Sequence, residues 1–120
     1  VGPHPMRFLR EELTATGILS ARALAQVHHG ARARVAGLVT VSQRPRTAKG
    51  FFFITLEDET GFANIIVTPD QFESHRSLLV SAAGLLIAGV VQNQESVVHL
   101  KADSFEAWRA APRNRVQRFG

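Results

Sequence analysis

The sequence predicts a mainly β protein, a five-stranded barrel with one helix between strands 3 and 4 and one or two short helices before the first strand. Near Ala33 the hydrophobic period changes from helical to two, and five short alternating runs follow. A single helical run separates the third of these from the fourth. This is the element order of an OB-fold Greek-key barrel, whereas a β-sandwich needs more strands than this chain supplies.

Residues 1–31 are predicted to form a helical segment or linker. Pro5 opens a run with apolar residues at helical spacing, and Gly17 provides a stop. Ser20 is the predicted N-cap of a second short helix that continues to Val27. We expect these helices to pack against the barrel or to belong to a preceding domain, and the chain to be a piece of something longer.

The predicted barrel occupies residues 32–108. Its strands are expected at 34–42, 51–57, 62–67, 85–92 and 97–103, with the helix over 70–79. Gly37 and Gly89 lie where barrel strands bend sharply, and Val35, Val39 and Val41 are expected to share one face of the first strand. The basic tail at 109–120 carries no acid and is predicted to be disordered.

Composition narrows the functional classes. The chain has no cysteine, which excludes disulfides and thiolate zinc sites and fits a reducing compartment such as a bacterial cytoplasm. The longest nearly apolar stretch, 82–91, is too short to span a bilayer, so we expect a soluble protein with no membrane partner. The net charge is +4, and all fourteen basic residues except Lys49 and Lys101 are arginine. Forked guanidinium groups favour an anionic partner.

Two outward phenylalanines mark a candidate binding site. If Phe52, Ile54 and Leu56 fill the barrel, Phe51 and Phe53 point to solvent, where aromatic rings are unfavourable unless something covers them. Bases stack on such rings for roughly 1–3 kcal/mol each, and OB-folds bind oligonucleotides on this part of the barrel. The alternative cover is the N-terminal helical segment.

Polar and basic residues complete the predicted site. Asn64 either reads an unstacked base edge or is a plain solvent-facing amide. The loop of residues 43–50 carries three positive charges and no acid. We expect phosphate contacts from this loop, with plain solvation or pairing with acids as the alternative. The predicted nucleic-acid-binding residues are Arg34, Leu38, Thr40, Arg44, Arg46, Lys49, Phe51, Phe53, Phe62, Asn64, His99 and Lys101.

Catalytic and metal-binding patterns are missing from the sequence. Asp58 and Glu59 belong to a tight turn, where carboxylates cap backbone donors. His28 and His29 are adjacent, and the other histidines lack ligand spacing. No nucleophile elbow or phosphate loop is present. We therefore expect no catalytic residue, no metal, no cofactor and no small-molecule substrate.

Three runs carry a family resemblance: VAGLV at 35–39, TAKGFFFITLEDETG at 47–61 and VVHL at 97–100. With them, the chain resembles the OB domain in the C-terminal region of bacterial polymerase III alpha-type DNA polymerases, closest to the error-prone, damage-inducible branch. The segment HPMRFLR at 4–10 is similar to the stretch that precedes that domain. The resemblance implies a DNA-directed DNA polymerase used in DNA repair and lesion bypass, in which this domain contacts single-stranded template and the active site lies elsewhere.

Three functions stay open on the sequence. The first, which we predict, is a single-stranded DNA-binding module of an error-prone polymerase active in replication and repair of damaged DNA. The second is a protein-docking OB-fold, whose exposed phenylalanines anchor a replication or repair protein. The third is an RNA-binding OB-fold, because the LEDxTG motif at 56–61 is shared with the anticodon-binding domains of class II aminoacyl-tRNA synthetases.

Overall fold

The computed structural model describes residues 10–109, which form a closed five-stranded barrel with short helical segments packed on it. In chain order the elements are α1 (Arg10–Ala15), α2 (Ala21–Leu24), β1 (Arg32–Gln43), a 3₁₀ turn (Arg46–Ala48), β2 (Phe52–Asp58), β3 (Gly61–Val67), α3 (Pro69–Ser74), α4 (Arg76–Ser81), β4 (Gly84–Gln94) and β5 (Val97–Ala107).

The strand order around the barrel is β1-β2-β3-β5-β4. β1 closes the barrel by pairing antiparallel with β4, and β3 and β5 form its parallel pair. This topology confirms the predicted OB-fold. The strands reach one to four residues beyond several of their predicted ends, most of all in β5, where Ala107 still pairs with Leu85 of β4.

The alternating pattern correctly predicts which side chains fill the barrel. Phe52, Ile54 and Leu56 of β2 are buried, as are the alternate residues of β3. Gly89 lies at a register shift between β4 and β5, where an added Cβ would stand only 2.1 Å from the carbonyl oxygen of Lys101. Glycine is required there because the two backbones approach too closely for any side chain.

The helix between strands 3 and 4 is interrupted, which the sequence did not predict. α3 and α4 are separated by His75, whose φ of −125° is not helical. The His75 ring packs on Phe105 of β5, with ring centroids 4.7 Å apart, so tertiary packing accompanies the break. The helical spacing still identifies the inward side chains, since Phe72 and Leu79 are both buried.

Of the two expectations for the N-terminal segment, packing against the barrel is the one observed. Ser20 caps α2 by accepting a hydrogen bond from the Ala23 amide at 3.0 Å, although α2 ends at Leu24 instead of Val27. Ala21 and Leu24 belong to the main barrel core.

A second, smaller apolar cluster, which we call the outer cluster, lies outside the barrel. α1 and the residues after it contribute Leu13 and Ile18, which pack on β1 and β4 together with Trp108. None of the described helices is long and apolar enough to cross a membrane. Pro5 and the predicted tail beyond Arg109 lie outside the described residues.

Candidate nucleic-acid interface

The outer surfaces of β1, β2 and β3 form one continuous face, which we call the three-strand face. Its outward side chains lie in cross-strand rows set by the register of the strands. The rows are Gln43–Phe53–Ile66, Val41–Thr55–Asn64 and Leu38–Glu57–Phe62. The first row continues to Lys101, because Ile66 of β3 pairs with Lys101 of β5. We call this row of four residues the Phe53 row.

A β-bulge in β1 changes the expected face of one residue. The register between β1 and β2 shifts between Val39 and Val41, so Thr40 has no direct partner. Val41 therefore turns outward and is 44% exposed, which corrects the prediction that it shares the inward face with Val35. Thr40 stays exposed, and its hydroxyl donates to the Thr55 carbonyl oxygen at 3.3 Å.

The predicted aromatic residues lie on or beside the three-strand face. Phe53 and Phe51 are half-buried, and neither belongs to the main core or the outer cluster. Phe62 is 62% exposed, and Asn64 is exposed in the neighbouring row. In the apolar clusters, α1 and α2 contact Leu38 of this face but neither Phe51 nor Phe53, so these contacts do not supply the alternative cover of the two rings.

The three cations of the loop between β1 and β2 differ in their contacts. Arg44 leans onto α3, where its Nη2 lies 3.6 Å from Glu73 Oε2 and its Cζ lies 4.5 Å from the centroid of the Phe72 ring. Arg44 therefore pairs with an acid of α3, which the sequence left open as an alternative to phosphate contact. Arg46 and Lys49 are exposed, and neither forms an ion pair with any residue between 10 and 109.

Two further predicted residues are engaged by the N-terminal segment. The Arg34 guanidinium donates to the Thr16 carbonyl oxygen, and Leu38 packs in the outer cluster with Leu13 and Trp108. Both lie on the outside of β1 as expected. A ligand would have to compete with these contacts, which leaves the end of the face near the loop as the more open part.

The β5 residues extend the face on its other side. Lys101 is exposed and lies between Ile66 and Val90 across the sheet. His99 is half-buried and pairs with Gln92 in the β4–β5 hairpin, where both line a shallow depression. The structure thus brings Phe53 and Lys101 into one row, with His99 two residues before Lys101 in β5.

The β2–β3 turn contains a hydrogen-bond network, of which the sequence predicts only a part. Asp58 is 4% exposed, and its Oδ1 accepts from the Thr60 amide at 2.8 Å, the Thr60 hydroxyl at 2.7 Å and the Gly61 amide at 3.2 Å. Its Oδ2 accepts from the Ala21 amide at 2.7 Å and from Arg10 Nη2 at 3.1 Å. The capping role of Asp58 was predicted, but nothing local signals its bonds to the N-terminal segment.

Arg10 joins the two acids of this turn. Its Nε and Nη2 donate to the Glu59 carboxylate at 2.6 and 2.9 Å. The hydrogen bond from Arg10 to Glu59, followed by the nearby negative charges of both acids, raises the pKa of Arg10 despite its partial burial. Asp58 and Glu59 therefore hold the N-terminal segment on the barrel.

Two of the described histidines form separate hydrogen bonds. His29 Nδ1 accepts from the Asn93 amide at 3.1 Å, and His75 Nδ1 lies 3.0 Å from the Gln71 carbonyl oxygen. Within residues 10–109, no three histidine, aspartate or glutamate side chains are arranged to hold a metal ion. His4 lies outside this range.

Comparison with known proteins agrees with this geometry. The family model described as an OB-fold nucleic acid binding domain matches residues 33–107, which covers the whole barrel. Among solved structures, asparaginyl-tRNA synthetase from Pyrococcus horikoshii superposes with a TM-score of 0.65 over 83% of this chain and 26% of that chain. Its sequence is 18% identical, so this likeness shows the fold alone.

Sequence relatives are more specific. An error-prone DNA polymerase from Methylococcus capsulatus is 50% identical over 103 residues, which is 86% of this chain and 10% of the relative. One from Caulobacter vibrioides is 46% identical over 102 residues, or 85% of this chain and 9% of the relative. The predicted relationship is confirmed, and the chain spans about a tenth of the length of these curated relatives.

Proposed function

Since this chain belongs to the family of OB-fold nucleic acid binding domains, we propose that it binds single-stranded DNA along the Phe53 row, next to the β1–β2 loop. In this proposal one or more bases stack on Phe53, and the backbone phosphates contact cations at the two margins of the row. The names of its relatives support a place within an error-prone DNA polymerase. We further propose that the domain serves there during synthesis on damaged template.

One observation carries the proposal, namely that an aromatic ring outside the core lies between cations that form no ion pair with any residue from 10 to 109. Phe53 is half-buried in the middle of the row, Lys101 ends the row on β5, and the loop beside Gln43 supplies Arg46 and Lys49. Stacking provides affinity that tolerates any base sequence, and phosphate contacts add a salt-dependent part. This combination is typical of single-strand binders.

Charge favours the loop end of the face over its other end. Glu57 and Phe62 share the row furthest from the loop, where Glu57 would repel phosphate. Asn64 lies in the row between, where its amide can hydrogen-bond a base edge. We therefore place the strand over Phe53, with Asn64 as the adjacent polar contact.

Fluorescence anisotropy with a labelled oligothymidine, measured over a range of salt concentrations, tests the proposal. Phe53→Ala should weaken binding by about 5- to 150-fold at every salt concentration, the equivalent of roughly 1–3 kcal/mol of lost stacking. An apolar control is Val97→Ala, because Val97 is 52% exposed but lies at the start of β5, four residues before Lys101. It should bind as the wild type does.

The salt dependence separates phosphate contacts from stacking. Lys49→Ala should reduce the slope of log K against log salt by about 0.7, the value for one phosphate on a single strand. Arg22→Ala removes an exposed charge from α2, at the other end of β2 from the loop, and should leave the slope nearly unchanged. Equal effects of the two variants would contradict a phosphate site in the loop.

A second candidate function is docking of another protein, which the high exposure of Phe62 and Val41 favours. Absence of binding to any single strand at low salt would exclude the leading proposal and promote this one. An RNA oligonucleotide of the same sequence should bind more weakly than DNA. Equal or tighter RNA binding would instead indicate an anticodon-type module.

A further inference from the structure

We propose that Arg44 and Arg76 form a second phosphate site beside the β1–β2 loop, and that the Glu73 carboxylate occupies it until a backbone phosphate of the bound strand displaces it. This inference rests on the proposed function, because it adds a contact for the same DNA strand. It extends the path of the strand from the three-strand face onto α3 and α4.

The two arginines converge on one buried ring. The Cζ atoms of Arg44 and Arg76 lie 4.5 and 4.8 Å from the centroid of Phe72. Phe72 is buried and packs on Phe52 with ring centroids 4.6 Å apart, so it is a fixed part of the core. Cation–π contact with a fixed ring limits the motion of both guanidinium groups, so less conformational freedom is lost when they bind a phosphate.

Glu73 lies between these arginines as a built-in anion. Its Oε2 is 2.9 Å from Arg76 Nη2 and 3.6 Å from Arg44 Nη2. The hydrogen bond from Arg76, with the charges of both arginines, lowers the pKa of Glu73. The carboxylate is therefore ionised at neutral pH, and the three side chains together carry a net positive charge.

The carboxylate is held loosely enough to be exchanged. All three side chains are substantially exposed, and ion pairs in such positions are weak because water and salt screen them. In these ion pairs Glu73 contacts one terminal nitrogen of each arginine, whereas a guanidinium has five N–H donors. A phosphate can bind a guanidinium through two parallel bonds, and its binding also releases counterions from the DNA.

The arginine pair lies next to the other cations of the β1–β2 loop. Gly50, at the end of the loop, lies against the start of α3, where an added Cβ would be 3.2 Å from Pro69 Cγ. Lys49, directly before Gly50, therefore lies near the start of α3, the helix that carries Glu73. A strand that passes from the Phe53 row over this loop would reach the arginine pair next.

Oligonucleotides of two lengths test this inference. We would compare oligothymidines of about 5 and about 15 nucleotides, near the two ends of the range that single OB-folds cover. Arg76→Ala should weaken binding of the longer strand and reduce its salt slope by about 0.7, with little effect on the shorter one. Glu73→Gln should tighten binding of the longer strand by about 3- to 10-fold at low salt, since it removes the competing anion, and this gain should shrink as salt rises.

A matched variant separates the displacement of Glu73 by a phosphate from the effect of removing any negative charge. Glu106 is an exposed acid on β5, and Glu106→Gln should leave the affinity for both strands almost unchanged. Equal effects of Glu73→Gln and Glu106→Gln would overturn the inference. The inference would also be overturned if Arg76→Ala bound the longer strand with unchanged affinity. In that case the proposed function would stand. Failure of the wild-type chain to bind either strand would refute the proposed function itself.

Discussion

The sharpest stability prediction concerns the buried carboxylate of Asp58, changed to the isosteric amide in Asp58→Asn. The carboxylate accepts five hydrogen bonds, three on Oδ1 from Thr60 and Gly61 and two on Oδ2 from Ala21 and Arg10. An asparagine side chain has only one acceptor oxygen. If that oxygen takes the Oδ1 position, its NH₂ group faces the Ala21 amide and Arg10, and both bonds are lost.

The expected loss follows from these two bonds. The buried Ala21 amide is left without its charged acceptor, at a cost of about 1.5–3 kcal/mol. The partly exposed ion pair with Arg10 adds up to about 1 kcal/mol once solvent screening is included. We therefore expect Asp58→Asn to lower the free energy of unfolding by about 2–4 kcal/mol, a large part of the roughly 5–15 kcal/mol typical of a domain.

Urea unfolding followed by circular dichroism measures this change, provided that the m-value stays constant. Glu106→Gln is the control, because an exposed acid of β5 should change the unfolding free energy by no more than about 0.5 kcal/mol. A loss below about 1 kcal/mol for Asp58→Asn would refute the conclusion that this carboxylate holds the N-terminal segment on the barrel.

Two further predictions concern packing. Leu24→Ala should lower the free energy of unfolding by about 2–5 kcal/mol, because Leu24 of α2 lies in the main core, whereas its exposed neighbour Arg22 should tolerate alanine within about 0.5 kcal/mol. Equal urea midpoints for these two variants would show that α2 is dispensable. Gly89→Ala should cost at least about 1–3 kcal/mol, since its Cβ would meet a backbone carbonyl oxygen of β5 at 2.1 Å. An unchanged thermal midpoint would contradict that close approach.

The local parts of the fold were predictable because the signals for them are local. Alternation along β2 separates Phe52 and Ile54 from Phe53, and the side-chain period of a strand requires nothing else. Ser20 likewise marks the start of α2 through its side-chain hydroxyl, and Gly17 lies with a positive φ just after the end of α1. Most of the barrel could therefore be derived from short stretches of sequence.

The bulge in β1 was not predictable in the same way. Val41 continues the alternating pattern of Val35 and Val39, yet it is exposed because Thr40 is inserted without a partner. A bulge depends on how one strand meets its neighbour, and the sequence of a single strand does not contain that information. The interruption at His75 has a similar origin, since it accompanies a contact with Phe105 far along the chain.

The sequence by itself determined the barrel, its inward side chains and the outward position of Phe53, because period and turn chemistry act over a few residues. Tertiary structure decided which cations near that ring are available. Arg44 meets Glu73 and Arg34 meets Thr16 only after the chain folds, whereas Lys49 keeps its charge unpaired among the described residues. Charge pairing depends on distance in space, and residues remote in sequence supply the partners.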